Sequence, residues 1–394
     1  MLRILHLADL HLGYRPSKPD VPVDIFIERD QVLERAVEIA LREGVHLAII
    51  AGDLFDNHKP DEGIVEKTIQ CLEKLKQNGV DCITIPGNHD ELTYPDCVYR
   101  RYASRWPGVL VTNSIPNVVY SNSKTLNGVH VNVCAMAFIA GETNIHEPLR
   151  NVPQCASNGV NIAALHGAIE RYKDDERSLN IDLKVLSRAG YDYVALGHIH
   201  SARRCDEGKT VAYYPGMIAG KGFSDPGVGY ISLVDFQDGR KEITINRRDV
   251  NVPSWHTIKV TVSPFASYED LLSDCHKQIK DLKNPEQSLV QVVLQGFAQF
   301  EIPRERLKAE LANLCRYVDV VDSTEGLSEE YLATIEREKT IRGEFVKRLR
   351  EQIQQCQDDQ RRRLLQRAIM LGLGAFRASG GDEEWQRLLS RGSF

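Results

Sequence analysis

The chain has 394 residues, is 42% hydrophobic and 26% charged, and carries a formal net charge of −6. That size supports a large core and two or more domains, while the acidic balance offers no overall basic footprint for phosphate backbones. No run of about 18 apolar residues exists, so a membrane-spanning helix is excluded.

Taken in order, Leu2–Leu7 reads as a buried strand, starting too early to leave room for a signal peptide, and it runs into Asp9-Leu10-His11. Val32, Leu33, Ala36, Val37, Ile39 and Ala40 then repeat at helical spacing. Leu47–Ala51 is a second apolar strand and ends in Gly52-Asp53. Ile64, Val65, Ile69, Leu72 and Leu75 mark another helix, and the strand 82–85 leads into Gly87-Asn88-His89-Asp90. Strand 162–165 meets His166-Gly167, and strand 193–196 meets Gly197-His198-Ile199-His200. Further strands are expected at Thr210–Tyr214, 230–236 and 242–246.

From Trp255 the pattern changes. Strands at 256–262, 288–296 and 317–321 alternate with helices at 268–282 and 304–314. A helical, Arg-rich segment follows, with one apolar stripe at Phe345, Val346, Leu349 and Ile353. Leu364, Leu365, Ala368, Ile369 and Phe376 make a second. The expected division is a catalytic domain at 1–250, a small α+β cap at 251–325 and a helical tail at 326–394. The nine cysteines lack any C-x-x-C pair, so reduced thiols and a cytoplasmic location are expected.

Five short motifs, each where an apolar run stops, bring Asp, His and Asn to one rim of an open α/β sheet, where ligands gather. In extended backbone, residues i and i+2 point the same way, so Asp9 and His11 should converge, as should His198 and His200. Gly52, Gly87 and Gly197 permit sharp turns before a ligand. Any one histidine alone is ordinarily a satisfied polar residue; it is the ordered set that carries the signal. Seven candidate ligands exceed one tetrahedral ion and suit two ions sharing a carboxylate. Asp, Asn and imidazole without Cys favour Mn, Fe or Zn. Two carboxylates against two divalent ions leave positive charge for a phosphodiester.

These motifs resemble the calcineurin-like metallophosphoesterase superfamily over roughly residues 1–250. The spellings Asp9-Leu10-His11-Leu12-Gly13, Gly52-Asp53-Leu54-Phe55-Asp56 and Gly87-Asn88-His89-Asp90 resemble its SbcD/Mre-type double-strand-break nuclease branch. A YhaO-like lineage shares them. Serine/threonine phosphatases of the superfamily usually carry Asp-Arg-Gly where this chain has Asp56-Asn57-His58. The resemblance implies a four-layer α/β fold, a two-sheet sandwich flanked by helices. It implies two divalent metal ions, Mn2+ foremost with Fe or Zn as alternatives. One would sit on Asp9, His11, Asp53 and His200, the other on Asp53, Asn88, His166 and His198. His89 would stabilise charge on the phosphate or protonate the leaving oxygen, with Asp90 orienting its ring.

The implied partners are DNA, an SMC-like ATPase of the SbcC type docked on the C-terminal helices, and a second copy of the chain. The tail is equally consistent with packing on its own domain or forming a homodimer seam, and a basic amphipathic tail touching DNA is a third reading. Arg15, Lys18, Arg100, Arg101, Arg105, Arg203, Arg204 and Lys221 lie near the motifs as a candidate basic strip. His6 reads as a core residue, and His58 as one that can reach the site mouth. Three functions follow: a DNA nuclease, a phosphodiesterase for a nucleotide or other small ester, and a metal-fold scaffold. The intact ligand set weighs against the last.

Overall fold

The computed structural model describes residues 1–16, 21–121, 125–143, 148–155, 158–169, 178–237, 242–298 and 300–378. Two compact units divide it, Met1–Ser254 and Trp255–Phe394. In the first unit the early strands are β1 (Leu2–Leu7), β2 (Leu47–Ala51), β3 (Asp81–Ile85), β4 (Val109–Leu110), β5 (Asn117–Ser121) and β6 (Val131–Ala135). They are followed by β7 (Val160–Ile169), β8 (Leu179–Ile181), β9 (Tyr193–Gly197), β10 (Arg203–Glu207), β11 (Thr210–Tyr214), β12 (Tyr230–Gln237) and β13 (Glu242–Asp249). Helices α1 (Asp24–Arg29), α2 (Val32–Arg42), α3 (Glu62–Gln77), α4 (Val98–Arg101) and α5 (Leu183–Ala189) connect them.

One sheet runs β13-β12-β1-β2-β3-β4, and the other runs β10-β11-β9-β7-β6-β5 with β8 beside β7. Side-chain alternation explains why they face each other. On β7, Ile162 and Ala164 enter the core shared with β2 and β3, whereas Ala163 and Leu165 enter an outer core with Leu183 and Leu186 of α5. On β9, Tyr193 and Ala195 point inward and Val194 and Leu196 outward. Val32, Leu33 and Val37 of α2, with Val65, Ile69 and Leu72 of α3, cover the first sheet. The result is helix, sheet, sheet, helix, the expected four layers.

Strand β7 corrects one boundary. It continues to Ile169, because its residues 167–169 pair with β8, so His166 lies inside a strand rather than past its end.

In the second unit, β14 (Ser254–Thr261), β15 (Ser288–Ala298) and β16 (Tyr317–Leu327) form a sheet with β15 central. Helices α6 (Tyr268–Lys280), α7 (Arg304–Leu311), α8 (Glu329–Glu336), α9 (Ile341–Gln355) and α10 (Asp359–Ala378) complete it. Strands β15 and β16 are parallel, which their connection through α7 permits. Val260, Val290, Val292, Leu271 and Leu307 share one core with Leu332, Val346, Ile369 and Leu373. The last helices are therefore built into this unit. Leu364, expected in an apolar stripe, is 69% exposed, and Leu373 is buried on the packed face.

Candidate metal centre

The loops after β1, β2 and β9 leave their strands through left-handed backbone. Asp9, His11, Asp53 and His198 have φ of 55°, 45°, 50° and 98°. Each such residue costs on the order of 1–3 kcal/mol, and such strain collects at functional sites. Asp9 N–H donates to Gly52 O at 3.1 Å, His11 N–H to Asp53 O at 2.9 Å and Leu12 N–H to Leu54 O at 2.9 Å. These bonds lace the first two loops together and hold the strained residues. Asp9 and His11 thus converge through two left-handed residues, not through the extended alternation anticipated above.

Among the glycines before ligands, Gly52 has φ of 88°, as a sharp turn requires. At Gly87 and Gly197 the need is space. A Cβ on Gly87 would lie 2.2 Å from Asp53 Oδ1, and one on Gly197 would lie 1.9 Å from Ala51 O.

The side chains meet in two halves. In one, Nε2 of His11 and Nε2 of His200 approach to 3.1 Å, and Asp9, His11 and His200 can hold one ion. In the other, Asn88 Oδ1 is 2.9 Å from His166 Nε2 and 3.2 Å from His198 Nδ1. Asp53 lies between the halves: its Oδ2 is 3.7 Å from His11 Nε2 and 3.4 Å from His166 Nε2. Nδ1–H of His166 donates to Ala51 O at 2.9 Å, which fixes the tautomer and leaves Nε2 as a ligand atom. Asp225 Oδ2 meets Nδ1 of His200 at 2.6 Å and does the same there. All seven predicted ligands are brought together, and the oxygen and imidazole donors fit two hard or borderline divalent ions.

The charges in this buried pocket are strongly perturbed. Burial pushes the Asp9 carboxyl up to about 6. Burial also raises Asp53, but the His166 charge and hydrogen bond outweigh it and hold that carboxyl far below its usual range. Burial lowers His166, yet Asp53 draws it up to about 9. Burial takes His11 down to about 4. His200 is raised, because its hydrogen bond to Asp225 overcomes desolvation.

The expected contact between Asp90 and the His89 ring is absent. Asp90 is buried, and its oxygens accept from Gly87 N, Phe55 N and Tyr99 Oη–H at 2.8, 3.0 and 2.7 Å. It braces the loop. The His89 ring is instead fixed by Asp56, whose carbonyl oxygen accepts from Nδ1 at 3.1 Å, while His89 N–H donates to Asp53 Oδ1 at 2.9 Å. His89 is exposed beside buried ligands. The Asp56 carboxylate also reaches His11 Nδ1 at 3.2 Å, and His11, Asp56 and His89 form a third possible ligand cluster.

Sequence reasoning missed Asp56, Asp225 and Arg29. Arg29 is buried and donates to the carbonyls of Leu10, His11, Ala219 and Gly220 at 2.8, 2.6, 3.1 and 3.2 Å. Arg29 ends a short helix, Asp24–Arg29, that precedes the helical repeat legible from Val32, and nothing local marks those four acceptors. His6 is buried in β1 with Nδ1 2.8 Å from Tyr193 Oη. The candidate basic strip is largely neutralised. Arg15 pairs with Asp30, Arg101 with Glu62, Arg105 with Glu66, Arg204 with Asp206 and Lys221 with Asp56. Lys18 lies outside the described residues.

A family model for calcineurin-like phosphoesterases matches residues 2–202. The chain is similar to a DNA double-strand break repair protein Mre11 of Saccharolobus solfataricus, 25% identical over 290 residues, covering 67% of this chain and 65% of that protein. It is similar to the protein of the same name from Sulfolobus acidocaldarius, 24% identical over 335 residues and covering 81% of each. It is also similar to the metallophosphoesterase YhaO of Bacillus subtilis, 22% identical over 349 residues, 84% of this chain and 80% of that one.

Proposed function

The chain belongs to the calcineurin-like phosphoesterase family, a family of phosphoester hydrolases with a dinuclear metal site, and from that premise we propose that it is a DNA nuclease of the SbcD/Mre type. The observation that carries the reading is the convergence of Asp9, His11, Asp53, Asn88, His166, His198 and His200 around the Asp53 carboxylate. Asp9, His11, Asp53 and His200 would hold one ion, and Asp53, Asn88, His166 and His198 the other, with Mn2+ the expected metal. Two ions bound there supply Lewis-acid charge for displacement at phosphorus.

The chain's own residues do the rest. Ala51 O and Asp225 fix the rings of His166 and His200, so the ligands need no reordering on binding. Asp56 O holds Nδ1–H of His89, so Nε2 gives a proton to a phosphoryl or leaving oxygen only from the imidazolium form, which becomes the neutral Nδ1–H ring. Asp90 acts on His89 through the loop it braces.

The further assignments belong to the same proposal. Residues 1–250 cleave, 251–325 form a cap that selects DNA, and 326–394 dock an SMC-like ATPase. Similarity to relatives named for double-strand break repair supports the DNA substrate. Exposed Leu364 and Leu371 on α10 support a docking role. A second reading, hydrolysis of a nucleotide or other small phosphoester, is favoured by the net charge of −6 and by the pairing of nearby cations.

The test is Mn2+-dependent cleavage of linear single- and double-stranded DNA by the wild type, His89→Ala and His89→Asn. Cleavage lost in both variants with metal content kept is the expected result. A wild type inert on DNA, even with an ATPase partner, that hydrolyses a small phosphodiester rapidly would move the assignment to the second reading.

A further inference from the structure

Two loops that carry site residues end in a pair of aromatic rings that the chemistry above does not use. The loop after β2 bears Asp53 and Asp56 and reaches His58; the loop after β3 bears Asn88 and His89 and reaches Tyr94. The rings of His58 and Tyr94 stack with centroids 4.0 Å apart and planes inclined by 18°. Tyr94 is 43% exposed, and its hydroxyl makes no hydrogen bond among the described residues. His58 is two residues from Asp56, whose carbonyl holds His89, so at most about 7 Å of chain separates His58 from that contact.

The backbone beneath the rings is fixed. Val98 N–H donates to His58 O at 2.8 Å and Cys97 N–H to Tyr94 O at 3.2 Å. Ala140 N–H donates to Glu91 Oε2 and Thr93 Oγ1 at 3.0 and 3.1 Å, which secures the approach to Tyr94. A stacked, half-open aromatic pair on a rigid rim offers a flat π-face to a ligand at little ordering cost.

The surrounding charges narrow the ligand class. Lys59 is paired with Asp96 and Arg101 with Glu62, while Arg100, whose Nε donates to Leu92 O at 3.0 Å, keeps its charge, so this rim offers a phosphate one guanidinium rather than a basic patch. A nucleobase needs neither, because any base stacks through its π-face. Bases inside a duplex already have their faces covered, whereas those of a single strand or frayed end do not.

We propose that the His58–Tyr94 pair is a platform that stacks an unpaired nucleobase of the strand being cleaved, next to the scissile phosphate. This rests on the nuclease reading and gives it a substrate form, a single-stranded or frayed end. Affinity then comes from stacking where a surface of mostly paired cations provides little.

The experiment measures Mn2+-dependent cleavage by the full chain of a single-stranded oligonucleotide and of an equally long strand of tetrahydrofuran abasic residues. Wild type, Tyr94→Ala and Tyr94→Trp are compared, with metal content and melting temperature recorded. The platform predicts a KM roughly tenfold lower for the base-bearing strand in the wild type. That preference disappears in Tyr94→Ala, through KM rather than kcat, and returns in Tyr94→Trp. A merely structural pair would lower the melting temperature of Tyr94→Ala and leave the preference intact, which overturns the proposal. So does a wild type that treats both strands alike. A wild type that cleaves neither strand yet hydrolyses methyl p-nitrophenyl phosphate overturns the nuclease reading itself, and the platform with it.

Discussion

Asp225 Oδ2 lies 2.6 Å from Nδ1 of His200, on the side of the ring opposite the nitrogen that meets His11. The carboxylate sets the tautomer and raises the basicity of the nitrogen left for metal. Asp225→Ala should therefore weaken metal binding about 10- to 100-fold with little change in fold. Calorimetric Mn2+ titration with circular dichroism checks this; unchanged affinity would remove Asp225 from the site.

Gly87 stands where a methyl group cannot. Its Cβ would lie 2.2 Å from Asp53 Oδ1 and 2.5 Å from Asp53 N, so Gly87→Ala must displace the carboxylate between the two halves. Overpacking of this kind costs about 1–3 kcal/mol. The expected outcome is loss of both ions together, read by elemental analysis, whereas Gly222→Ala, with nothing within 4 Å, should keep them.

Arg29 satisfies four carbonyls from two separate loops. Replacing it with Met takes the guanidinium from the buried Leu10, Ala219 and Gly220 carbonyls, at about 1–3 kcal/mol each where they stay dry, while His11 O keeps the Tyr14 N–H at 3.1 Å. A loss of about 3–5 kcal/mol in denaturant unfolding is expected, with Arg29→Lys recovering part of it. A cost below about 1 kcal/mol would mean that water replaces the guanidinium freely.

His6 makes stability depend on pH. Burial lowers its pKa to about 3, whereas the unfolded ring titrates near its ordinary value of about 6.5. Between these values the unfolded chain binds one more proton, so stability falls as pH drops from about 6.5 toward 3, by up to about 1.4 kcal/mol per pH unit. His6→Gln should flatten that part of the pH–stability curve, and an unaltered slope would place the dependence elsewhere.

The tail gives a test of its own. Leu373 is buried in the second unit's core and Leu364 is 69% exposed. Leu373→Ala should cost about 2–5 kcal/mol, and Leu364→Ala no more than about 0.5 kcal/mol. If Leu364→Ala instead removes binding of an SMC-like ATPase at unchanged stability, the exposed face of α10 is the docking surface.

Much of this protein is determined locally and so is legible in the sequence. Strand Leu47–Ala51 is a continuous apolar run and Leu2–Leu7 is interrupted only by Arg3 and His6, because both sheet faces are covered, and the helices covering them repeat at 3.6 residues. The proposed metal ligands are equally plain, since each sits in a short motif at or near a strand's end. Tertiary structure alone decided what those motifs touch. Asp90 neighbours His89 in sequence but turns to Gly87, Phe55 and Tyr99, because a buried carboxylate goes where the most donors converge. Asp225 and Arg29 act on the loops bearing His200 and His11 from 25 and 18 residues away. Tyr94 meets His58 only because two loops end side by side. Such contacts have no period and no spacing, so they become visible only when the sheets bring the loops together.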